Sequence, residues 1–249
     1  MKLILTSSLG GAVKVDGRRL PGRILSENGL LSTLQSCWRE PARVMMICST
    51  PDDSAKNDGI VECFTQSFPR NGLPISRLLM CDGRNPEVVE LIGQTDVVIL
   101  TGGHVPTQNA FFHRIGLRER LQSFGGLVIG WSAGSMNCAE TVYAGPEFPG
   151  EAIDPNYHRW LPGLGLTKTN ILPHFQDLRD DILDGMRLIE DITFGDSMGH
   201  AFLAMHDGSY IVRDESGEVL YGEAYWIRDG AIIKACENGS SVRLFAAQS

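Results

Sequence analysis

One short segment of this sequence combines a serine with the glycines that a reactive serine requires. Ser132 lies between Gly130 and Gly134 in a GxSxG pattern, after a short apolar run and before a helix-like stretch of small residues. A strand that turns sharply into a helix holds its serine in a strained backbone conformation, and the glycines leave room for it. The turn also points the first amides of the helix at the group the serine attacks. The segment predicts a nucleophilic serine; the alternative is a glycine-rich turn that only packs.

A serine hydroxyl is a poor nucleophile unless a base contacts it and another group orients that base. The histidines that follow the serine are His158, His174, His200 and His206. His174 comes just after the apolar run 170–172 and before a helical pattern, so we expect it on the same edge of the sheet as the serine. We therefore predict His174 as the base, with His206, also near a strand end, as the alternative.

The orienting acid should also follow a strand. Asp207 does so, because it comes directly after the apolar run 201–205. Asp177 and Asp180 fall on a predicted helix instead, and Asp196 falls in a turn. We predict Asp207 as the acid; the alternative is an ordinary Asp-Gly turn.

Negative charge that develops on the attacked oxygen needs at least two amide donors. The N–H of Ala133, next to the serine, is one candidate. The second is expected from Gly102-Gly103, a turn after the preceding strand where backbone can approach a ligand closely. A phosphate cradle is the alternative, but neither GxGxxG nor GxxxxGK[ST] occurs in the chain, so nucleotide binding is weakly supported.

The first half of the chain alternates short apolar runs with helical patterns. Strands are predicted at 3–6, 43–48, 75–80, 96–100 and 127–129, and helices at 23–38, 57–68, from Pro86, and at 107–123. This alternation, with strands that are nearly uninterrupted apolar runs, predicts an α/β fold: three layers, a mostly parallel sheet with helices on both faces.

The second half is less regular. Residues 143–165 form a long loop whose aromatic content indicates order, and residues 177–192 are predicted as an amphipathic helix. Short strands separated by turns follow from Ala201 onward, and they predict antiparallel hairpins added to the sheet. No linker composition interrupts the chain, so we expect a single domain over residues 1–249.

Composition excludes several functions. The net charge of −8 argues against nucleic-acid binding, and no apolar run approaches the ~20 residues that span a membrane. The first eight residues indicate a first strand and not a signal peptide. Six scattered cysteines without a CxxC pair exclude zinc and disulfide frameworks on spacing. We expect reduced thiols in a cytoplasmic protein, with no metal and no cofactor.

The order of the candidate residues separates two classes of hydrolase. An α/β-hydrolase runs serine, acid, histidine, whereas this chain runs Ser132, His174, Asp207. The chain resembles peptidase family S51, which includes dipeptidase E and the cyanophycinases and has a fold related to the class I glutamine amidotransferases (flavodoxin-like). The motifs that carry the resemblance are residues 102–108 (GGHVPTQ), 130–134 (GWSAG), 173–175 (PHF) and, more weakly, 205–210 (MHDGSY).

The resemblance implies a role for each matching residue. Ser132 corresponds to the nucleophile, His174 to the base, Asp207 to the acid, and Gly103 with Ala133 to the oxyanion hole. It implies an intracellular serine exopeptidase for short peptides, with N-terminal aspartate as the preferred first residue in the dipeptidase. The expected partner is a peptide substrate, and the expected state is a monomer or homodimer.

Three further positions follow from the resemblance as substrate-binding candidates. His104, followed by Val105, replaces a glycine and an asparagine of the dipeptidase and is expected at the rim of the site. Arg179 is the candidate cation for an acidic side chain, although a solvated helix face is equally consistent with it. Asp154, before Pro155, is a candidate for holding the substrate amine or simply a turn residue.

Two other functions remain open at this point: an esterase or other acyl hydrolase, and a binding protein that retains the triad without activity. A glutamine amidotransferase is disfavoured, because that class requires a cysteine at the position of Ser132.

Overall fold

The computed structural model describes residues 1–246, so the last three residues of the predicted domain lie outside the described residues. The strands, numbered in chain order, are β1 (Lys2–Thr6), β2 (Gly10–Val15), β3 (Arg18–Ile24), β4 (Ala42–Ile47), β5 (Ile75–Cys81), β6 (Val97–Leu100), β7 (Leu127–Trp131), β8 (Thr141–Tyr143), β9 (Trp160–Pro162), β10 (Asn170–Leu172), β11 (Ile182–Leu183), β12 (Met186–Arg187), β13 (Ala201–Met205), β14 (Tyr210–Asp214), β15 (Gly217–Tyr221), β16 (Ala224–Arg228), β17 (Ala231–Cys236) and β18 (Ser241–Ala246).

The helices are mostly short. The α-helices are α1 (Leu30–Cys37), α2 (Ser54–Arg70), α3 (Val105–Arg114), α4 (Leu117–Gln122), α5 (Ala133–Met136), α6 (Phe175–Leu178) and α7 (Phe194–Asp196). Glu27–Gly29 and Pro86–Gln94 are 3-10 helices, and Leu188–Thr193 is a π-helix. None of the helices in the described residues is long and apolar enough to cross a membrane.

The largest sheet has eight strands in the order β18-β15-β14-β1-β7-β6-β4-β5. The five strands from β1 to β5 in this order are parallel to one another, and β14, β15 and β18 are joined by antiparallel pairing, β14 to β1, β15 to β14 and β18 to β15. Counted from β4, the parallel strands follow the flavodoxin-like order 2-1-3-4, and β1 occupies the fifth position. The four consecutive residues 44–47 of β4 are all buried, because both faces of the sheet are covered. The predicted α/β fold is confirmed.

The C-terminal hairpins do not all join this sheet. A second sheet has the order β10-β13-β16-β17, with β10 and β13 parallel. Along β13, Leu203 and Met205 pack into the main core, while Phe202 and Ala204 pack into a separate cluster with Phe175. Apolar residues on both faces of a strand bury it on both sides, so β13 lies buried between two cores, whereas the edge strand β17 is mostly exposed.

Three predicted helices have different bounds. The segment predicted at 23–38 is helical over Leu30–Cys37, and the segment at 107–123 divides into α3 and α4 at Gly116, which has a φ of 58°. The prediction of a helix at 177–192 is wrong. Asp184-Gly185 adopt positive φ and form the two-residue turn between β11 and β12, a turn that Asp-Gly favours.

An Asp-Gly turn also joins a strand pair that sequence reasoning missed. The sequence patterns indicate no strand between the runs at 3–6 and 23–38, but β2 and β3 form a hairpin there, closed by Asp16-Gly17, both at positive φ. The long loop at 143–165 is ordered as predicted, because β8 pairs with β9 across it.

Candidate active site

Ser132 has the backbone of a strained turn between β7 and α5, with φ 53° and ψ −116°. The flanking glycines are required by space. A Cβ on Gly130 would lie 2.7 Å from the Cα of Ser135, and one on Gly134 would lie 2.1 Å from the carbonyl oxygen of Leu100. Any side chain at either position would displace backbone. The segment is thus built to hold this serine in one conformation.

His174 lies within hydrogen-bonding distance of the serine. Its Nε2 is 3.0 Å from the Oγ of Ser132, and its Nδ1 is 2.8 Å from Oδ1 of Asp207. His174 itself has a left-handed backbone, φ 56° and ψ 35°, where the chain turns from β10 into α6. The three side chains therefore form one continuous hydrogen-bonded series from hydroxyl to carboxylate.

The carboxylate of Asp207 is held in its ionised form. Burial raises the pKa of Asp207, but the hydrogen bond and charge of His174, with further hydrogen bonds from Ser7 and Gln176, outweigh burial and lower it. An ionised carboxylate accepts a hydrogen bond from Nδ1–H, which fixes the tautomer that leaves Nε2 free to accept a proton.

Ser7 is a site residue that sequence reasoning missed. Its Oγ donates to Oδ1 of Asp207 at 2.7 Å and accepts from the backbone N–H of His174 at 2.8 Å. It is fully buried and directly follows β1. Its position after a strand that pairs with β7 was the available signal, because the carboxyl ends of parallel neighbours meet.

The three side chains come from two sheets, which corrects the prediction of a single rim. Ser132 follows β7 of the eight-stranded sheet. His174 and Asp207 follow β10 and β13, which are parallel neighbours in the four-stranded sheet. The edge where the two sheets meet positions the histidine and the acid against the serine.

The predicted amide donors lie beside the serine. Ala133 is the first residue of α5, so its N–H has no carbonyl acceptor within the helix. Gly103 lines the same pocket as Ser132, and a Cβ there would lie 2.3 Å from the Oγ of Ser49. Ser49 donates to the carbonyl oxygen of Gly102 at 2.6 Å and fixes this turn.

A pocket of about 120 Å³ opens at the serine. Its walls include the backbone of the Gly103 turn and α5, the end of β10, the loop after β8 and the π-helix. The lining residues are Gly103, Ser132, Ala133, Met136, Tyr143, Gly145, Pro146, Glu147, Leu172, Pro173, His174, Leu178, Leu188, Ile189 and Thr193. Most of these side chains are apolar, and Glu147 is the only acidic residue among them.

Glu147 is the second functional candidate that sequence reasoning missed. Glu147 is exposed on its loop, and its Oε1 accepts from the N–H of Val105 at 3.2 Å in a part-buried contact. Burial raises the pKa of Glu147 to about 7, with Glu151 adding to the rise and the positive charge of His174 opposing it. No motif marked this residue, because its position depends on the course of an irregular loop.

His104 is placed differently from the prediction. Its Nδ1 is 2.7 Å from the Oγ1 of Thr107 and its Nε2 is 2.9 Å from Oε1 of Glu151. Its ring also packs 4.5 Å from that of Phe148. Within the described residues His104 does not line the pocket. Its ring nitrogens are occupied by the protein, so its contacts anchor the loop that carries Glu147.

The other two substrate-binding candidates also lie outside the pocket in residues 1–246. Asp154 is exposed, and its carboxylate accepts from the N–H of Asn156 at 2.9 Å. This contact is that of a turn residue, the alternative to a role in binding the substrate amine. Arg179 is exposed immediately after α6. The helix predicted to carry Arg179 ends at Leu178, and the chain turns away into β11.

The remaining histidines do not contact the serine. His206 packs against Phe175 and Tyr225 and lies 3.7 Å from Oε2 of Glu223. His200 packs on Trp160. Of the histidines considered as bases, His174 is therefore the one that the fold brings to Ser132.

Ligand atoms of His174, Asp177 and Asp207 lie within 4.8 Å of one another. His174 already forms hydrogen bonds with Asp207 and with Ser132. A cation there would compete with those hydrogen bonds. The expectation of no metal remains a prediction.

A hydrogen-bonded serine, histidine and carboxylate beside a pocket is an arrangement used for acyl transfer. The sequence profile of peptidase family S51 matches residues 30–217. The chain belongs to peptidase family S51, and it is a peptidase.

Solved structures share its fold. A peptidase from an acI-B1 Actinobacterium is 18% identical, with a TM-score of 0.62, over 98% of this chain and 96% of that one. A candidate peptidase E protein from Listeria monocytogenes EGD-e is 16% identical, with a TM-score of 0.52, over 94% and 97%. At these identities the likeness shows the fold. The search of curated proteins gave no match.

Proposed function

We propose that this peptidase is a serine exopeptidase that hydrolyses short peptides through Ser132, His174 and Asp207. The observation that carries the proposal is the series of hydrogen bonds from Ser132 through His174 to Asp207, at 3.0 and 2.8 Å, which ends in the pocket. Ser7 holds His174 and Asp207 in this arrangement through its hydrogen bonds to both residues.

The reaction follows from these contacts. Nε2 of His174 accepts the hydroxyl proton as Oγ of Ser132 bonds to the peptide carbonyl carbon. The amides of Gly103 and Ala133 stabilise the oxyanion. The C–N bond then breaks, and His174 donates its proton to the departing amine. Water then bonds to the acyl carbon as Nε2 accepts its proton, the bond to Oγ breaks, and Nε2 returns the proton to Oγ as the acid product leaves. Asp207 holds the imidazole and stabilises its charged form throughout.

The pocket size supports short substrates. A cavity of about 150 Å³ is known to hold a benzene molecule, so about 120 Å³ suits one side chain. The proposal needs neither a metal nor a cofactor. We also propose that the enzyme acts in the cytoplasm as a monomer or homodimer; light scattering after gel filtration would determine its state.

An N-terminal aspartate preference does not form part of the proposal. Such a preference needs a cation in contact with the acidic side chain. None of the residues that line the pocket in residues 1–246 is Lys or Arg. A cation close to this turn is Lys56, whose Nζ would lie 3.8 Å from a Cβ on Gly103, on the side of the turn packed by Ser49.

Peptide hydrolysis by three variants tests the proposal. Ser132→Ala should reduce hydrolysis of a dipeptide panel by at least ~10³-fold while the circular dichroism spectrum stays unchanged. His174→Ala should lose activity similarly, and His206→Ala should retain it. Full activity of Ser132→Ala, or loss in His206→Ala alone, would contradict the mechanism.

A further inference from the structure

One acidic residue of the pocket, Glu147, has no role in the proposed reaction. Glu147 lines the pocket with Ser132 and His174, yet it bonds to neither of them. Of the ion pairs in residues 1–246, none includes Glu147. Because no cation of the described residues pairs with it, this pocket carboxyl group is free to pair with a cationic group of a ligand.

The surrounding loop holds this carboxyl group in place. Oε2 of Glu151 accepts the backbone N–H groups of Glu147 and Phe148 at 2.8 and 2.9 Å. Oε1 of Glu151 contacts Nε2 of His104 at 2.9 Å. The Oε1 of Glu147 in turn bonds Val105 N–H at the start of α3. The loop is thus braced by Glu151 and tied to the start of α3 at two points, which fixes Glu147 at the pocket.

The remainder of the wall is mostly apolar. Leu172 ends β10, Leu178 ends α6, and Leu188 with Ile189 begins the π-helix. Met136 closes the wall from α5. An acidic side chain that entered this pocket would lose its hydration and meet the carboxyl group of Glu147. An apolar side chain would instead gain about 25 cal/mol for each Å² it buries.

We propose that Glu147 binds the free α-ammonium group of the substrate, while the apolar wall receives the side chain of its first residue. The substrates are therefore short peptides with a free N-terminus and an apolar first residue, which differs from an aspartate preference. This inference rests on the proposed function, because it takes Ser132 as the residue that attacks the first peptide bond.

The electrostatics of the pocket agree with this assignment. The pKa of Glu147, raised to about 7, falls when an ammonium group arrives, because a neighbouring positive charge favours the ionised form. The ionisable groups that face it are Glu151, Tyr157 and His174, and His104 acts on it through Glu151.

Matched substrates test the assignment. The wild type, Glu147→Gln and the control Glu215→Gln, an exposed residue in the turn between β14 and β15, are assayed with Leu-Gly and N-acetyl-Leu-Gly. Leu-Gly should be preferred by the wild type, and the ratio of the two kcat/KM values should fall roughly 10- to 100-fold in Glu147→Gln. Glu215→Gln should keep the wild-type ratio. Glutamine retains the shape and the bond to Val105 N–H, so a folding defect is not expected.

Two further peptides identify the group that is bound. Asp-Gly should be a poorer substrate than Leu-Gly, and Nα-acetyl-Lys-Gly should be poorer than Leu-Gly. Preference for Asp-Gly would overturn the apolar pocket. Preference for the acetylated lysine peptide would overturn the α-ammonium assignment, as would an unchanged ratio in Glu147→Gln. Each of these outcomes leaves covalent labelling of Ser132 by a fluorophosphonate intact, so it is distinguishable from failure of the proposed function.

Discussion

At the scale of single residues, the active site depends on one carboxylate oxygen that accepts two hydrogen bonds. Oδ1 of Asp207 accepts from Ser7 and contacts His174 Nδ1, and Ser7 also receives the backbone N–H of His174. One buried hydroxyl therefore fixes the acid and the base together. Such a group acts by positioning, since it does not reach the serine oxygen.

Ser7→Ala should lower kcat about 10- to 100-fold with little change in KM, because a hydrogen bond to a charged group contributes roughly 1.5–3 kcal/mol. Steady-state kinetics with a good dipeptide substrate measures this. Ser8→Ala, the adjacent position, serves as the control and should be near wild type. A rise in KM with unchanged kcat would show that Ser7 does not position the histidine.

Glu147 makes stability depend on pH in an unusual direction. Its pKa is raised from 4.5 to about 7 in the folded chain, so the folded state binds more protons than the unfolded state between these values, and stability falls as pH rises through this window. Glu147→Gln removes this loss. The melting temperature of the variant relative to wild type should therefore be higher at pH 8 than at pH 5. Equal differences at both pH values would contradict the assignment.

At the scale of elements, the turn between β7 and α5 is specified by space as much as by the serine. A Cβ on Gly134 would meet the backbone of Leu100 on β6. The serine can face the pocket only because β6 and α5 approach this closely.

Gly134→Ala should therefore lower the free energy of unfolding by roughly 1–3 kcal/mol and abolish hydrolysis as the turn shifts. Gly59→Ala is the matched control, because a Cβ there has no described atom within 4 Å and Gly59 lies within α2; it should stabilise by roughly 0.5–1 kcal/mol. Urea unfolding and a dipeptide assay measure both. Wild-type stability and activity in Gly134→Ala would contradict this account of the turn.

The elements predictable from sequence were those with a strong local signal. The apolar strands β4 to β7 and the GxSxG turn are short-range patterns. The helix predicted at 177–192 was wrong because the prediction followed the apolar spacing. In the structure, the preference of Asp184-Gly185 for a tight turn decides the local fold. Ser7 and Glu147 were missed because their contacts join segments that are distant in sequence. Arg179 was misplaced for another reason: its predicted position depended on the helix at 177–192, which does not form.

At the scale of the whole molecule, the site requires two sheets to keep a fixed relation. Glu218 on β15 is buried and joins them: Oε1 accepts from Thr167 and Oε2 from Thr169, at 2.7 and 2.8 Å, just before β10. Arg213 lies 3.4 Å from the same carboxylate. This buried carboxylate links the large sheet to the strand that leads to His174.

Glu218→Ala should lower the melting temperature by roughly 4–12 °C, since it leaves two hydroxyls and a guanidinium without their partner at a loss of about 2–3 kcal/mol. Because the sheets share their cores, scanning calorimetry should show one transition in both proteins. The exposed Glu215→Gln is the control. An unchanged melting temperature, or separate transitions in the wild type, would contradict the single-domain prediction or this role of Glu218.

The central claim is that His174 activates Ser132 for covalent catalysis. The most direct measurement is reaction of the intact protein with a fluorophosphonate, followed by peptide mass spectrometry and repeated with His174→Ala. The account predicts one adduct, on Ser132, which forms in the wild type and is strongly slowed in His174→Ala. A protein that hydrolyses dipeptides but carries no adduct on Ser132, or carries it equally fast without His174, would contradict the account.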